Sequence, residues 1–348
     1  MSTPATSDRR IASLRRPRRL QAPKLPRPRL PRRNRELLSE EEIVPWSILD
    51  KLGLAAAWFC GLLLCAIAGS IVIYMLVRGI QYVKLDALFE HPVVLSTTQS
   101  SGTVGGYLDP IEGTLILTAL GTLIALPVGV GIAVWLSEYA RPAGLARAVE
   151  SGVEIVAGTP TIVLAIFGLL VFSQGSLGFL SFKAEGGAVF GRSFFIAGIM
   201  MSLIALPLIV GATREALQSI PSHVREASYA LGKDKISTIR RVLLPASRKG
   251  IATGTTLGMG RIAGDTAIVI LLLGGTLTLE SQGSTPVLGT LRGTGSTLTS
   301  YVYANSPAGE GNAPEKAYAA AFILLMLVIG MNFVVDLFSR KRSDPWAR

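Results

Sequence analysis

The sequence is poor in the side chains that build catalytic and metal sites. Its 348 residues include two cysteines and two histidines, and both cysteines, Cys60 and Cys65, lie inside one apolar stretch. Cysteines in such a stretch behave as small hydrophobic residues and offer no ligand spacing with a histidine. The chain also lacks a Gly-x-x-x-x-Gly-Lys-Ser/Thr loop, which holds nucleotide phosphates in many ATPases. We therefore expect no catalytic residues, no metal site and no cofactor bound by this chain.

Charged residues are also scarce, at 16% of the chain, whereas 49% of the residues are hydrophobic and the mean hydropathy is +0.48. These values are typical of a protein that crosses a membrane several times. The net charge of +11 is concentrated in a few blocks, above all in residues 1–48. Because this basic segment directly precedes an apolar stretch, we interpret it as a disordered cytoplasmic tail that contacts anionic membrane lipid, and we expect no nucleic-acid partner.

Six apolar segments of about 20 residues or more are long enough to cross a bilayer. They are Leu52–Val77, Thr114–Leu136, Val153–Phe172, Phe194–Ala212, Ile251–Leu273 and Ala317–Phe338. With the basic tail inside, the inner segments hold 27 of the 34 Lys and Arg and the outer loops hold six, as the positive-inside rule requires. We therefore predict an all-α, multi-pass membrane protein with six transmembrane helices and both termini in the cytoplasm.

The same pattern divides the chain into four parts. The predicted parts are the tail 1–48, a first span with its outer loop at 49–110, a main transmembrane domain at 111–340 and a cytoplasmic C-terminal tail at 341–348.

Pro160 interrupts the third apolar segment, in the sequence Gly-Thr-Pro-Thr. Proline removes a backbone hydrogen bond and favours a kink, and the freed carbonyls then need polar partners. Thr159 and Thr161 flank this break and carry hydroxyls. Ordinary helix packing and the lining of a polar path both fit this pattern, and we take the two threonines as candidate substrate-binding residues.

A polar stretch within residues 214–248, between the fourth and fifth apolar segments, has the pattern of two short helices. Ser222 is placed to cap the first helix, and Gly232 suits a left-handed turn after it. Asp234 is placed to cap the second helix, which we expect Pro245 to end. Such a helix pair fits either a docking knob for a cytosolic partner or an amphipathic loop lying on lipid headgroups.

The spacing inside this stretch decides between the two interpretations, because it resembles the "EAA" coupling loop of ABC importer permeases. The residues that carry this resemblance are Glu226, Ala227, Ser228, Gly232, Leu244 and Pro245. The resemblance extends over about residues 113–338. Arg261–Ala267 looks like a stretch of phosphate importer permeases in particular, and Leu136–Tyr139 is similar to their A-type (PstA) subunit.

This resemblance implies a type I ABC importer architecture in a bacterial inner membrane. It implies ATP-driven phosphate uptake, with a homologous PstC-like permease, a PstB-like ATPase dimer that uses ATP-Mg and a PstS-like phosphate-binding protein as partners. A permease for another oxyanion, molybdate or sulfate, stays open as an alternative. An anion channel or a secondary transporter fits less well, because neither needs a coupling loop.

Arg261 and Asp265 lie four residues apart in the fifth apolar segment, so we expect them to share a helix face and to pair. A structural ion pair and an anion site are both possible. For a phosphate site, the Arg261 guanidinium supplies donors, Thr266 adds another, and Asp265 accepts the P–OH proton that sulfate lacks. The family usually has Glu at the position of Asp265, and Gly211 stands where many members have Arg.

Overall fold

The computed structural model describes residues 47–94, 103–182, 190–274, 278–281, 286–307, 309 and 313–340. The chain divides into two compact units between Cys65 and Ala66. Of the first unit, the described part is the beginning of helix α1 (Ile48–Tyr82) and Ser47 before it. The predicted tails lie outside the described residues, except for positions 47 and 48.

A capping box starts helix α1. The Ser47 N–H donates to the Asp50 carboxylate (3.0 Å), and the Asp50 N–H donates to the Ser47 hydroxyl (3.1 Å). These two bonds satisfy backbone donors that have no partner inside the helix. The side chains that follow up to Cys65 are exposed and mostly apolar, as expected for a helix that faces lipid.

The second unit contains the rest of α1 and a series of further helices. Their bounds are α2 Leu108–Val134, α3 Ala143–Gly158, α4 Thr161–Phe172, α5 Phe194–Gln218, α6 Ser222–Ala230, α7 Lys235–Thr238, α8 Leu244–Ala246, α9 Arg248–Ala263, α10 Ala267–Leu272, α11 Pro286–Arg292, α12 Leu298–Asn305 and α13 Pro314–Arg340. Two π-helical turns, Trp135–Tyr139 and Ile239–Leu243, continue α2 and α7. A short antiparallel ribbon pairs β1 (Pro92–Val94) with β2 (Thr103–Gly105). The predicted helical fold class is confirmed.

Within the described chain, four helices are long and apolar enough to cross a membrane, namely α1, α2 with its π turn, α5 and α13. Helices α3 and α4 meet the same criteria together, but they are bent by 105° at their junction. The predicted count of six spans is therefore not confirmed: the structure has four, or five if the bent pair is one span.

The third predicted span, Val153–Phe172, is interrupted at Pro160, so the predicted break is confirmed, and it divides the segment into two helices. Thr159 and Pro160 have extended ψ angles of 129° and 136°, which end α3 and place Pro160 just before α4. Proline at this position has no N–H to donate to the preceding turn, and its ring disfavours a helical residue before it.

The fifth predicted span, Ile251–Leu273, is also interrupted. Helix α9 ends at Ala263 and α10 begins at Ala267, so residues 264–266 form a break. The 16 residues of α9 extend only about 24 Å at 1.5 Å per residue, which is less than a typical hydrocarbon core.

The core of the second unit lies between α2, α5, α9 and α10, and α4 and α10 also pack against each other. Helix α9 approaches α5 through three glycines at four-residue spacing: Gly250, Gly254 and Gly258. A Cβ at Gly254 would lie 3.0 Å from the Cα of Ile209. Because lipid provides no hydrophobic drive between helices, small residues that allow close packing hold such helices together.

We predict that Gly250→Ala destabilises the protein. A Cβ at this position would overlap the Cβ of Ala216 in α5, which cannot rotate away, and overpacking of this kind costs about 1–3 kcal/mol. Thermal unfolding of the detergent-solubilised chain measures the effect. Gly260→Ala is the matched control in the same helix, because no atom lies within 4 Å of its Cβ position. Equal melting temperatures for the two variants would contradict the packing argument.

Candidate coupling and anion sites

Helices α6, α7 and α8 form the predicted helix pair between α5 and α9, with a turn at Gly232. The φ angle of Gly232 is +74°, so the predicted left-handed turn is confirmed. Asp234 is the residue before α7, as predicted, although its side chain makes no capping bond. Two details are wrong: Pro221 rather than Ser222 precedes α6, and Pro245 lies inside α8 rather than ending the helix.

A buried hydrogen bond fastens the two helices to each other. The hydroxyls of Ser228 in α6 and Thr238 in α7 are 2.8 Å apart, and both residues are buried. The Thr238 hydroxyl also lies 3.0 Å from the backbone carbonyl of Asp234, to which it can donate. Leu217 at the end of α5 packs with Ile239 and Leu243, which follow α7. The pair is therefore one packed unit seated on the end of α5.

Arg225 of α6 ties this unit to two other helices. Its Nε and Nη2 donate to Glu138 Oε1 in the π turn after α2, at 3.1 and 2.9 Å. Its Nη1 and Nη2 also donate to the carbonyls of Ile220 (2.7 Å) and Leu217 (2.9 Å). The Glu138 side chain is 7% exposed and that of Arg225 21%. One guanidinium thus joins α6, the end of α5 and the end of α2.

A second cation approaches the same turn from α7. Lys235 Nζ donates to the backbone carbonyl of Glu138 and lies 4.3 Å from the centroid of the Tyr139 ring. A lysine over a tyrosine face is a favourable cation–π contact. Both helices of the pair therefore hold the π turn at Glu138 and Tyr139.

The opposite face of the pair is exposed and partly apolar. Tyr229, Leu231 and Ile236 are 43%, 81% and 67% exposed, and Glu226 and Ala227 are exposed beside them. The predicted coupling residues thus divide between two surfaces, since Ser228 is buried and Leu244 and Pro245 are half-buried. Glu226, Ala227 and the exposed apolar side chains form the accessible part of the pair.

Arg261 and Asp265 do not share a helix face, and this prediction is wrong. Helix α9 ends at Ala263, so Asp265 lies in the break, where its Oδ1 accepts a hydrogen bond from the Ile268 N–H (2.9 Å). Asp265 is 7% exposed, whereas Arg261 is exposed and forms no ion pair with any residue in the described ranges. The carboxylate therefore satisfies a backbone donor in the first turn of α10, although Thr266 is the residue directly before the helix.

The three threonines of the predicted anion site occupy the two helix breaks. Thr159 donates from its Oγ1 to the Ile155 carbonyl (2.7 Å) at the end of α3, and Thr161 is the first residue of α4. Thr266 precedes α10. Helices α4 and α10 pack against each other, but among the described residues no hydrogen bond joins these threonines to Arg261 or to the Asp265 carboxylate. Their roles in binding stay predictions.

Comparison with known proteins places the chain in a family. The family model described as "Binding-protein-dependent transport system inner membrane component" matches residues 125–344, which is more than half of the chain. The chain belongs to this family. The matched region includes the helix pair, the break at Asp265 and the π turn at Glu138.

The relatives of this permease include both types of phosphate transport permease. The phosphate transport system permease protein PstC of Pasteurella multocida is 31% identical over 195 residues, which are 52% of this chain and 60% of that protein. PstA 1 of Mycobacterium tuberculosis is 31% identical over 247 residues, 69% of this chain and 73% of that protein. Because relatives of both types match at 31% identity, the A-type assignment stays a prediction.

A solved structure supports the fold of the permease. The crystal structure of a bacterial ABC transporter involved in the import of the acidic polysaccharide alginate matches with a TM-score of 0.55 at 18% identity. The match covers 85% of this permease and 99% of that chain. The predicted type I ABC importer permease architecture is therefore confirmed.

Sequence reasoning missed the contacts of Arg225, Lys235 and Glu138. Glu138 follows the second apolar segment, and Arg225 directly precedes Glu226 of the coupling motif. Sequence spacing alone does not place two residues 87 positions apart in contact.

We predict that Gly232→Ala destabilises the permease, because a residue with a Cβ pays about 1–2 kcal/mol in the left-handed region. No atom lies within 4 Å of the Cβ position, so the effect is conformational and not steric. Thermal unfolding checks it. Gly232→Asn is the comparison variant, and its loss should be smaller because Asn tolerates positive φ. A larger loss for Asn than for Ala would contradict this explanation.

Proposed function

We propose that this chain is a transmembrane subunit of an ATP-driven phosphate importer. The observation that carries the proposal is the membership of the chain in an importer permease family, together with relatives named as phosphate transport permeases. The packed helix pair adds support, because a rigid projection with an exposed apolar face suits docking to a cytosolic partner.

The chain works in this proposal with three kinds of partner. A dimer of separate PstB-like ATPase chains binds ATP-Mg and contacts the helix pair at Glu226, Ala227 and Leu231. A PstC-like permease completes the translocation path, and a PstS-like protein delivers phosphate to the outer side. The protein spans the bacterial inner membrane with both termini in the cytoplasm, and the basic tail contacts membrane lipid on that side.

Transport follows from alternating access. Closure of the ATPase dimer pushes the helix pair, and because the pair lies between α5 and α9 in the chain and packs on the end of α5, these helices tilt with it. The exposed Arg261 then faces first the outer and later the inner side, and its guanidinium attracts the oxyanion in both states.

Asp265 has a separate role in this proposal. Its Oδ1 is held by the Ile268 N–H, which leaves Oδ2 as the atom we assign to the P–OH group of phosphate. Sulfate at neutral pH has no such proton and is repelled by the carboxylate. Selectivity for phosphate over sulfate follows from this difference.

We expect Arg261→Ala to lower ATP-dependent phosphate uptake by about 10-fold or more, because a hydrogen bond to a charged group is worth about 1.5–3 kcal/mol. The measurement is uptake of labelled phosphate by vesicles that contain the permease, its PstC-like partner, the ATPase and the binding protein. Arg147→Ala removes another exposed arginine, in α3, and should leave uptake unchanged. Uptake that sulfate or molybdate displaces better than phosphate would contradict the substrate assignment.

For Asp265→Asn we expect phosphate-over-sulfate discrimination to fall by about 10-fold or more, because the neutral amide no longer repels sulfate. The variant retains an Oδ1 acceptor for the Ile268 N–H, so the start of α10 is preserved. Competition of labelled phosphate uptake by sulfate measures the effect. Unchanged discrimination between phosphate and sulfate in a fully active variant would contradict the role assigned to Asp265.

A further inference from the structure

Two short non-helical joints connect the coupling helix pair to the body of the permease. Residues 219–221 link α5 to α6, and Ser247 links α8 to α9. Joints at the ends of elements are the places where a chain absorbs changes of φ and ψ. A push on the exposed face of the pair would be lost as bending at these joints unless another contact made the pair rigid.

Arg225 spans the first of these joints. It lies in α6, after the joint, and donates to the carbonyl of Leu217, before the joint, and to that of Ile220 inside it. The same guanidinium holds Glu138 at the end of α2. Helix α2 is not adjacent to the pair in the sequence. It is attached to the pair by this contact, by the contacts of Lys235 with Glu138 and Tyr139, and by the apolar packing of Val134.

Burying this ion pair costs free energy, and a positioning role accounts for the presence of charged residues at this place. Glu138 is almost fully buried, and taking a carboxylate and a guanidinium out of water costs free energy that their attraction offsets only when the geometry is good. An apolar pair at this position would add stability at least as well. A charged pair adds directional bonds, which fix the angle between α6 and the ends of α2 and α5.

We propose that Arg225 and Glu138 are positioning residues that lock the coupling helix pair to α2 and α5, so that movement of the pair becomes movement of the spans. Lys235 supports the lock from α7 through the Glu138 carbonyl. The inference rests on the proposed function, and it concerns the efficiency of coupling, not the binding of substrate. Without the lock, ATP hydrolysis continues while less phosphate is moved for each ATP.

The test variant is Glu138→Gln in the assembled transporter. We expect phosphate transported per ATP hydrolysed to fall by about 10-fold, within the range of ordinary coupling free energies, while the ATPase rate stays within about 2-fold. Glu150→Gln is the matched control. Glu150 forms a more exposed ion pair with Arg214 between α3 and α5. Its loss also removes an Arg–Glu contact between helices, but one that does not touch the coupling helices, so the transport ratio should not change.

A covalent tether separates the mechanical role from simple stabilisation. Cys60 and Cys65 are replaced by serine, cysteines are introduced at Glu138 and Arg225, and a short bifunctional thiol reagent joins them. We expect the joined protein to regain the transport ratio that the unjoined variant lacks. This measurement also applies if Glu138→Gln assembles poorly.

The outcomes distinguish this inference from the proposed function. If the unmodified transporter moves no phosphate, the proposed function fails. If it does move phosphate, a normal transport ratio in Glu138→Gln, or a tether that restores stability without restoring the ratio, overturns the lock.

Discussion

The structure depends on the close approach of α5 and α9. In a membrane the hydrophobic effect does not drive helices together, so their association depends on van der Waals packing, which small residues at the interface allow. The glycines of α9 allow its backbone to lie against Ile209 of α5, and α5 in turn packs along α2. Because the coupling helix pair is inserted between these two helices in the chain, the packed α5 and α9 form the frame on which the pair is mounted.

Two of the predicted membrane spans are broken, and the chain leaves the regular helix at each break. Pro160 separates α3 from α4, and Asp265 marks the break between α9 and α10. The short helices α4 and α10, which follow the two breaks, pack against each other. The two breaks therefore belong to one packed region of the structure. Polar groups freed at such breaks must find partners inside the protein. Thr299 fulfils this need at Asp265 by donating to its backbone carbonyl (3.2 Å).

Composition and periodicity were sufficient to predict a helical membrane protein, because a long apolar run has few alternatives in lipid. They also located the left-handed turn at Gly232. The number of unbroken spans was beyond them. Pro160 indicated the break between α3 and α4, but no proline marks residues 264–266. A hydropathy window averages over those residues, so a broken helix and a straight one give the same signal there.

The candidate sites were predictable only in part, because long-range contacts have no spacing rule. The motif identified Glu226 and Gly232, but the local pattern did not show that the neighbouring Arg225 reaches Glu138. The predicted pairing of Arg261 with Asp265 is wrong because side chains four residues apart meet only within one helix, and the helix of Arg261 ends at Ala263. Local rules hold only while the element they assume is continuous.

The break at Asp265 bears on a departure from the expected family pattern. The resemblance to phosphate importer permeases implies Glu at this position, and the side chain of Asp is one methylene shorter. The carboxylate of Asp265, however, reaches the N–H of Ile268, three residues on, and so satisfies a backbone donor that the first turn of a helix leaves without a partner. The shorter side chain thus stabilises the start of α10 with one oxygen. The proposed contact with phosphate then needs only the other oxygen, so that capping and substrate selection do not compete for the same atom.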